Sequence, residues 1–357
     1  MHLIGEAPKA KSMSLPISKR YRPMEAMPAP VLPDGPDWQY EPKWDGFRCL
    51  AFRDRERIDL LSKAGKPLTR YFPDLVDALA ALAATQFVLD GEIAIPLDGS
   101  LSFDRLLMRI HPAASRVKKL SESTPCLFIV FDLLVDDSGK SLVKMPLADR
   151  RKSLEEFAAR YFHGNKSLHL SPATSKIAMA RQWFRAGVGL DGVVAKRRDL
   201  PYQSGERTGM QKIKNQRTAE CVIGGFRYLE KEPLVGSLLL GLYDSAGKLD
   251  HVGFTSSIHA EDRPALTRKL ERLIKSPGFT GNAPGGPSRW STKRSTEWQP
   301  LVPKLVVEVQ FDHFTGGRFR HGTKFLRWRP DKPPRACTFK QVERENAATL
   351  RVLKLAA

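Results

Sequence analysis

The chain has 357 residues, 41% of them hydrophobic and 27% charged, which is enough apolar material for two folded domains of about 150 residues and excludes a lone peptide module or a disordered segment. Lys and Arg number 58 against 39 Asp and Glu, and the net charge of +19 asks for a polyanionic partner, nucleic acid first and an anionic membrane surface second.

The opening Met1-His2-Leu3-Ile4-Gly5-Glu6-Ala7 lacks the charged start and apolar core of a signal peptide, and no apolar run approaches the ~18 residues of a bilayer span. The expectation is a protein of the cell interior with no membrane attachment. Cys49, Cys126, Cys221 and Cys337 stand far apart with no C-x-x-C pair, which predicts reduced thiols rather than a zinc site or a disulfide framework.

Residues 1–36 carry Pro8, Pro16, Pro23, Pro28, Pro30, Pro33 and Pro36, a density that prevents helix and interrupts ladders, and predict an extended arm. Residues 37–217 read as an α+β domain. Strands are expected over 47–52 and 58–61, a helix over 71–82 from the spacing of Leu75, Leu79 and Leu82, buried strands over 87–95 and 126–135, and helices over 148–161 and 177–184. Their irregular alternation favours α+β over a regular parallel sheet. Over 218–345 short strands at 234–243 and 250–255 flank the turn Asp244-Ser245-Ala246-Gly247, one helix is expected at 260–274, and a strand resumes at 305–311 after a loop rich in Gly, Pro and Ser. That profile predicts an all-β barrel of the OB type, with 346–357 as a C-terminal tail.

Glu41-Pro42-Lys43-Trp44-Asp45-Gly46-Phe47-Arg48 places a lysine before an Asp-Gly turn with an arginine five residues on. Such a pair can aim an amine at phosphorus while a cation neutralises phosphate oxygens. The amine attacks only when unprotonated, and burial among neighbouring cations is expected to lower its pKa from about 10.4. The plainer alternative is a surface hairpin with solvated charges. Asp90-Gly91-Glu92 and Asp191-Gly192 end apolar strands with carboxylates, which either cap turns or supply the oxygen ligands a Mg²⁺-bound triphosphate needs. Phe131 can lay a ring against a base, although an aromatic in so apolar a run is more often core. Lys212 and Lys214 alternate, so both amines leave one face of a strand, where a phosphate would satisfy them. The G-x-G-x-x-G run at 187–192 leads into a strand rather than a helix and is set aside, as are His111, His313 and His321, which show no metal-ligand spacing.

These segments, in this order from residue 40 to 332, resemble the motifs of the covalent nucleotidyltransferases. Residues 41–48 resemble motif I, the K-x-D-G-x-R of DNA ligases, RNA ligases and capping enzymes. Residues 62–73 resemble motif Ia, Asp90-Gly91-Glu92 motif III, Phe131-Asp132-Leu133-Leu134 motif IIIa, residues 191–196 motif IV, Lys212-Ile213-Lys214 motif V and residues 327–332 motif VI. Ile110-His111-Pro112-Ala113 and the runs 236–243 and 319–330 are similar to bacterial ATP-dependent DNA ligases of the C type, which contain an adenylation domain and an OB domain alone.

The resemblance implies an enzyme that seals 5′-phosphate/3′-hydroxyl breaks in duplex DNA through a lysyl-AMP intermediate, using ATP and Mg²⁺, for which Mn²⁺ can substitute. It implies catalytic roles for Lys43, Asp45, Arg48, Lys212 and Lys214, with Lys43 as the nucleophile. It implies that Glu41 accepts from the adenine amino group, Phe131 stacks on the ring, Arg48 holds ribose or phosphate, and Glu92 contacts ribose and joins Asp191 in placing the metal. Lys212 and Lys214 would stabilise the α-phosphate, Arg329, Asp331 and Lys332 would orient pyrophosphate, and Lys63 would meet the 5′-phosphate at the nick. Three positions depart from the family pattern: Lys63 where Arg is usual, Asp191 where Glu is common, and Met210 where Trp is common. A monomer in the bacterial cytoplasm and nucleoid is expected, engaged in DNA repair beside a Ku-like end-binding protein or a primase-polymerase. The rival readings are an RNA ligase, a capping-type guanylyltransferase, or a non-catalytic OB-fold nucleic-acid-binding protein. Residues 301–357 carry 12 Lys or Arg against 5 Asp or Glu, so the second domain and tail are expected to grip the DNA backbone.

Overall fold

The computed structural model describes residues 15–184, 190–285, 297–342 and 349–354. The chain forms two compact units, one of residues 1–214 with 346–357 and one of residues 215–345.

The first unit is built on two sheets. The larger has the strand order Arg57–Ser62, Phe47–Asp54, Gln86–Ala94, Leu127–Val135, Leu168–Leu170, antiparallel except for the last pair. Its interior strand Leu127–Val135 reads LFIVFDLLV with eight of nine residues buried, as expected of a strand covered on both faces. One face packs on Leu75 and Leu79 of helix Pro73–Ala80 and on Leu154 and Phe157 of helix Leu147–Tyr161. Each such side chain contributes about 1.5–3 kcal/mol by leaving water. The smaller sheet runs Met27–Pro28, Met210–Lys214, Gly192–Arg197, Trp38–Pro42. Ile129 and Phe131 from the first sheet share a core with Tyr40, Val193 and Ile213 from the second, so the ends of both sheets converge on one region.

Expected and observed elements differ in instructive places. The helix expected over 71–82 is Pro73–Ala80, because Pro73 fits the first turn while residues Thr69–Tyr71 tighten into a 3₁₀ turn before it. The helix expected over 177–184 is Ile177–Gln182. The proline-rich segment is docked rather than free: Ile17 and Met24 are buried, and Met27–Pro28 pairs at a sheet edge, the position where a missing proline N–H is tolerated. Residues 346–357, read as a tail, supply helix Thr349–Lys354 to the first unit, where Val352 and Leu353 are buried near Tyr40 and Trp44. Of the G-x-G-x-x-G run, residues 187–189 lie outside the described residues, and Gly192 opens a strand.

The second unit is built on an antiparallel sheet ordered Leu249–Thr255, Val235–Tyr243, Arg217–Tyr228, Val306–Phe311, Lys324–Trp328, with Gln299–Pro300 also pairing to Arg217–Tyr228, and carries a small hairpin of Phe314–Thr315 with Arg318–Phe319. All nine residues of Val235–Tyr243 are buried. The helix expected over 260–274 is a 3₁₀ turn followed by Arg263–Glu271. The expected barrel is not closed by a ladder. Its edge strands meet at the single bridge Thr255–Thr323, where Thr255 Oγ1 donates to the Thr323 carbonyl at 2.9 Å and Thr323 N to the Phe254 carbonyl at 3.1 Å. The architecture is therefore α+β with antiparallel sheets and an open OB-type second unit. All four cysteines are buried and free, and among the described residues no helix is long and apolar enough to cross a membrane.

Candidate active site

A pocket of about 170 Å³ opens in the first unit where its two sheets converge. Strand Trp38–Pro42 ends at a residue that cannot extend a ladder, which releases Lys43 into this pocket. Its backbone stays fixed, since Lys43 N donates to the Gly192 carbonyl at 2.9 Å and Asp191 N donates to the Lys43 carbonyl at 3.3 Å. The close approach depends on glycine: Gly192 sits at φ +146°, and a Cβ there would lie 2.0 Å from the Ile213 carbonyl oxygen. Gly192→Ala is therefore expected to destabilise the first unit by about 2–5 kcal/mol, through backbone strain and overpacking, and to displace Asp191 from Lys43. Thermal melting checks this, and an unchanged melting temperature would refute it.

Lys43 Nζ donates to Asp191 Oδ2 at 2.7 Å. Burial lowers the lysine pKa, but Asp191, Glu92 and Asp45 outweigh it, and the net shift is upward. Of the expected influences burial acts downward as foreseen, while the carboxylates of Asp191, Glu92 and Asp45 act the other way. Glu92 responds in kind, its carboxyl raised by burial to about 8 against the pull of Arg48 and Lys43.

Arg48 grips buried Asp90 with both arms, Nε to Oδ1 at 2.6 Å and Nη2 to Oδ2 at 2.7 Å. Tyr202 Oη donates to the same Oδ2 at 2.6 Å and accepts from Met24 N at 2.9 Å. The Arg48 guanidinium carbon lies 4.7 Å from the centre of the Phe131 ring, and Lys196 Nζ lies 4.6 Å from it. Lys196 also binds Glu41 Oε2 at 2.7 Å, while Gln39 Nε2 donates to Glu41 Oε1 at 2.8 Å, so Glu41 is buried as a fully engaged carboxylate.

At the pocket rim, Lys63 lies 2.9 Å from Glu25. Lys212 has its pKa lowered by burial and by the nearby charges of Lys63, Lys214, Lys43 and Arg207. A cavity of about 730 Å³ adjoins the pocket through Arg48, Lys63 and Glu92 and is walled by Phe47, Leu68, Tyr71 and Ile110. The described structure thus brings Glu41, Lys43, Arg48, Lys63, Glu92, Phe131 and Lys212 to one pocket, with Asp191 on Lys43.

The family model described as ATP dependent DNA ligase domain matches residues 12–214, and that of the ATP dependent DNA ligase C terminal region matches residues 231–332. The chain belongs to the ATP-dependent DNA ligases. DNA ligase C2 of Mycolicibacterium smegmatis is 42% identical over 352 residues, covering 93% of this chain and 96% of that one. The multifunctional non-homologous end joining protein LigD of Mycobacterium bovis is 33% identical over 301 residues, covering 83% of this chain and 37% of that one. A solved Lig E DNA ligase shares the fold, with a TM-score of 0.52 at 15% identity, covering 86% of this chain and 99% of that one.

As an ATP-dependent DNA ligase the protein uses ATP and acts on breaks in duplex DNA. In this ligase Arg329 and Lys332 lie in the second unit, where both pair with Glu220, Lys332 at 2.7 Å, and Arg329 also holds Asp331 at 2.7 Å. Sequence reasoning gave no separate role to Lys196, Gln39, Tyr202 or Asp90. A signal existed for Lys196: it alternates with Val194 on strand Gly192–Arg197, and a lysine buried there needs a carboxylate from the neighbouring strand that carries Glu41. Tyr202 lies in a loop, and nothing in the sequence ties it to a residue 112 positions away. Asp45 and Asp191 bring carboxylate oxygens within 4.8 Å of each other, and oxygen donors are what a hard divalent cation such as Mg²⁺ or Mn²⁺ prefers.

Proposed function

We propose that Lys43 is the adenylate acceptor of this ligase and that the pocket around it serves three successive displacements at phosphorus. Lys43 Nζ attacks the α-phosphorus of ATP and pyrophosphate leaves. A DNA 5′-phosphate oxygen then attacks the phosphorus of the lysyl-AMP, the P–N bond breaks and the Lys43 amine leaves, and finally the 3′-hydroxyl attacks that 5′-phosphate and AMP leaves to close the strand. The observation that carries this reading is the amine of Lys43 fixed on Asp191 inside a pocket that also holds Arg48, Lys63 and Lys212.

Each group has a part that its surroundings support. Glu41, held by Lys196, accepts from the adenine amino group, and Phe131 offers its ring to the base. Arg48, held by Asp90, is aimed at ribose or phosphate, and Glu92 contacts ribose. Lys212 and Lys214 meet the charge that grows on the α-phosphate, the preorganised electrostatic help that phosphoryl transfer relies on. Asp45, Glu92 and Asp191 would hold Mg²⁺, which when bound supplies positive charge to the phosphates and offsets the carboxylates that keep Lys43 protonated. Lys63 meets the 5′-phosphate of the nick, and Arg329, Asp331 and Lys332 orient pyrophosphate.

The relative LigD carries non-homologous end joining in its name, which supports a place for this ligase in DNA repair; a monomer working beside a Ku-like end-binding protein or a primase-polymerase is the form we propose for it. Intact-mass analysis tests the first step. The expected result is one AMP adduct after ATP and Mg²⁺, none after GTP, and its removal by pyrophosphate. Sealing of a nick in duplex DNA and not in duplex RNA separates this reading from an RNA ligase. Preference for the RNA nick, or a GMP adduct, would overturn it.

A further inference from the structure

Around Glu25 the docked proline-rich segment does something that none of the roles above uses. One oxygen of Glu25, Oε2, collects three cationic donors: Lys63 Nζ at 2.9 Å, Arg207 Nη2 at 3.1 Å and Arg207 Nε at 3.2 Å. Lys63, Lys212 and Lys43 line the same pocket as Glu25. The same crowding bears on Lys212, whose pKa is lowered by burial and by Lys63, Lys214, Lys43 and Arg207. Cations gathered this closely from separate segments need an anion to hold them, and Glu25 is the one that faces Lys63 and Arg207.

The backbone beneath Glu25 is tied down. Glu25 N donates to the Glu206 carbonyl at 2.8 Å, Met24 N to Tyr202 Oη at 2.9 Å, and Met27–Pro28 pairs with Gln211 and Lys212. The side chain, 25% exposed, is held by its ion pairs to Lys63 and Arg207. Lys63 and Arg207 are both more than half exposed, and an ion pair between exposed groups is worth only about 0–1 kcal/mol. A phosphate has more charge and more acceptor oxygens than one carboxylate, and its hydrogen bonds to Lys and Arg are charge-assisted.

We propose that Lys63 and Arg207, with Lys212 beside them, form a phosphate subsite that Glu25 occupies as a built-in competitor, so that an incoming phosphate group must displace the Glu25 side chain while its backbone stays in place. The ligand is a terminal phosphate monoester or diphosphate. Its two sources are the β,γ-phosphates of the nucleotide and the 5′-phosphate of the nick. The inference rests on the reading of this pocket as the adenylylation site, and its test is arranged so that the two can fail separately.

The test compares Glu25→Gln and Arg207→Gln with the wild-type ligase in two binding measurements that need no turnover. One is the affinity of the unmodified protein for pyrophosphate by calorimetry. The other is the affinity of adenylylated protein for a nicked duplex carrying a 5′-phosphate, set against the same duplex with a 5′-hydroxyl. Glu25→Gln is expected to tighten one of these by about two- to fivefold and Arg207→Gln to weaken the same one, with melting temperatures unchanged. A gain confined to pyrophosphate assigns the subsite to the nucleotide, and a gain confined to the 5′-phosphate duplex assigns it to DNA. If Glu25→Gln leaves both affinities unchanged or weakens them, Glu25 serves only to position Lys63 and the competitor role is overturned. Failure of wild-type protein to form an adduct on Lys43 would instead remove the underlying reading, whatever the pyrophosphate titration shows.

Discussion

Lys43→Ala is expected to yield a protein that acquires no AMP when incubated with ATP and Mg²⁺ and seals nicks at a rate lower by a factor on the order of 10⁴–10⁶, the loss typical of removing a covalent nucleophile. The other amines lining the pocket are those of Lys63, Lys196 and Lys212; Lys196 is committed to Glu41 and Lys63 to Glu25, and Lys212 lies on a different strand from Lys43. The same variant should still seal a nick whose 5′-phosphate already carries AMP, because that last displacement needs Arg48, Lys212 and the metal ligands but no amine nucleophile. Lys43→Ala also leaves the buried Asp191 carboxylate without its cation, at a cost of about 1–3 kcal/mol that melting would reveal. Intact mass decides the matter: an AMP adduct retained on the Ala variant would place the acceptor elsewhere, and equal loss on pre-adenylylated DNA would make Lys43 a structural residue instead.

How much of this was legible in the sequence follows a physical line. Contacts made through periodicity were readable: strand Leu127–Val135 announces itself by nine consecutive residues with one polar member, and Lys212 and Lys214 fall on one face because a strand alternates. Short-range spacing also served, placing Lys43, Asp45 and Arg48 around a turn that the structure puts at the pocket. What the sequence did not disclose is long-range pairing of charges. The direction of the Lys43 pKa shift depends on Asp191, 148 residues away, and on Glu92, and no local pattern reports how many carboxylates the fold collects around one amine. The docking of the proline-rich segment was hidden for a related reason. Proline density forbids helix and ladder, which argues for an extended chain, but an extended chain can still bury Ile17 and Met24 and line an active-site wall. The open second unit was equally hidden, since strand patterns fix which face is buried and not whether the two edge strands form a full ladder.

Asp90→Ala is expected to destabilise the first unit strongly while leaving Lys43 itself intact. Asp90 is fully buried between Arg48 and Tyr202, and its removal strands a guanidinium that, among the described residues, hydrogen-bonds to no other carboxylate side chain, for about 3–5 kcal/mol. Function should fail by a different route. Without the two-armed grip Arg48 loses its fixed position beside Phe131, so KM for ATP in adenylylation rises before the attacking group is touched. Stability and orientation can be separated with the double variant Arg48→Met, Asp90→Leu, in which neither charge remains. Replacing a buried ion pair by packed apolar groups is often neutral, so the double variant should melt close to wild type. It should nonetheless adenylylate poorly, because the cation that meets ribose or phosphate is gone. A double variant that remained as unstable as Asp90→Ala would show that packing around Tyr202, and not the uncompensated charge, is what Asp90 protects. One that adenylylated as well as wild type would remove Arg48 from the nucleotide site.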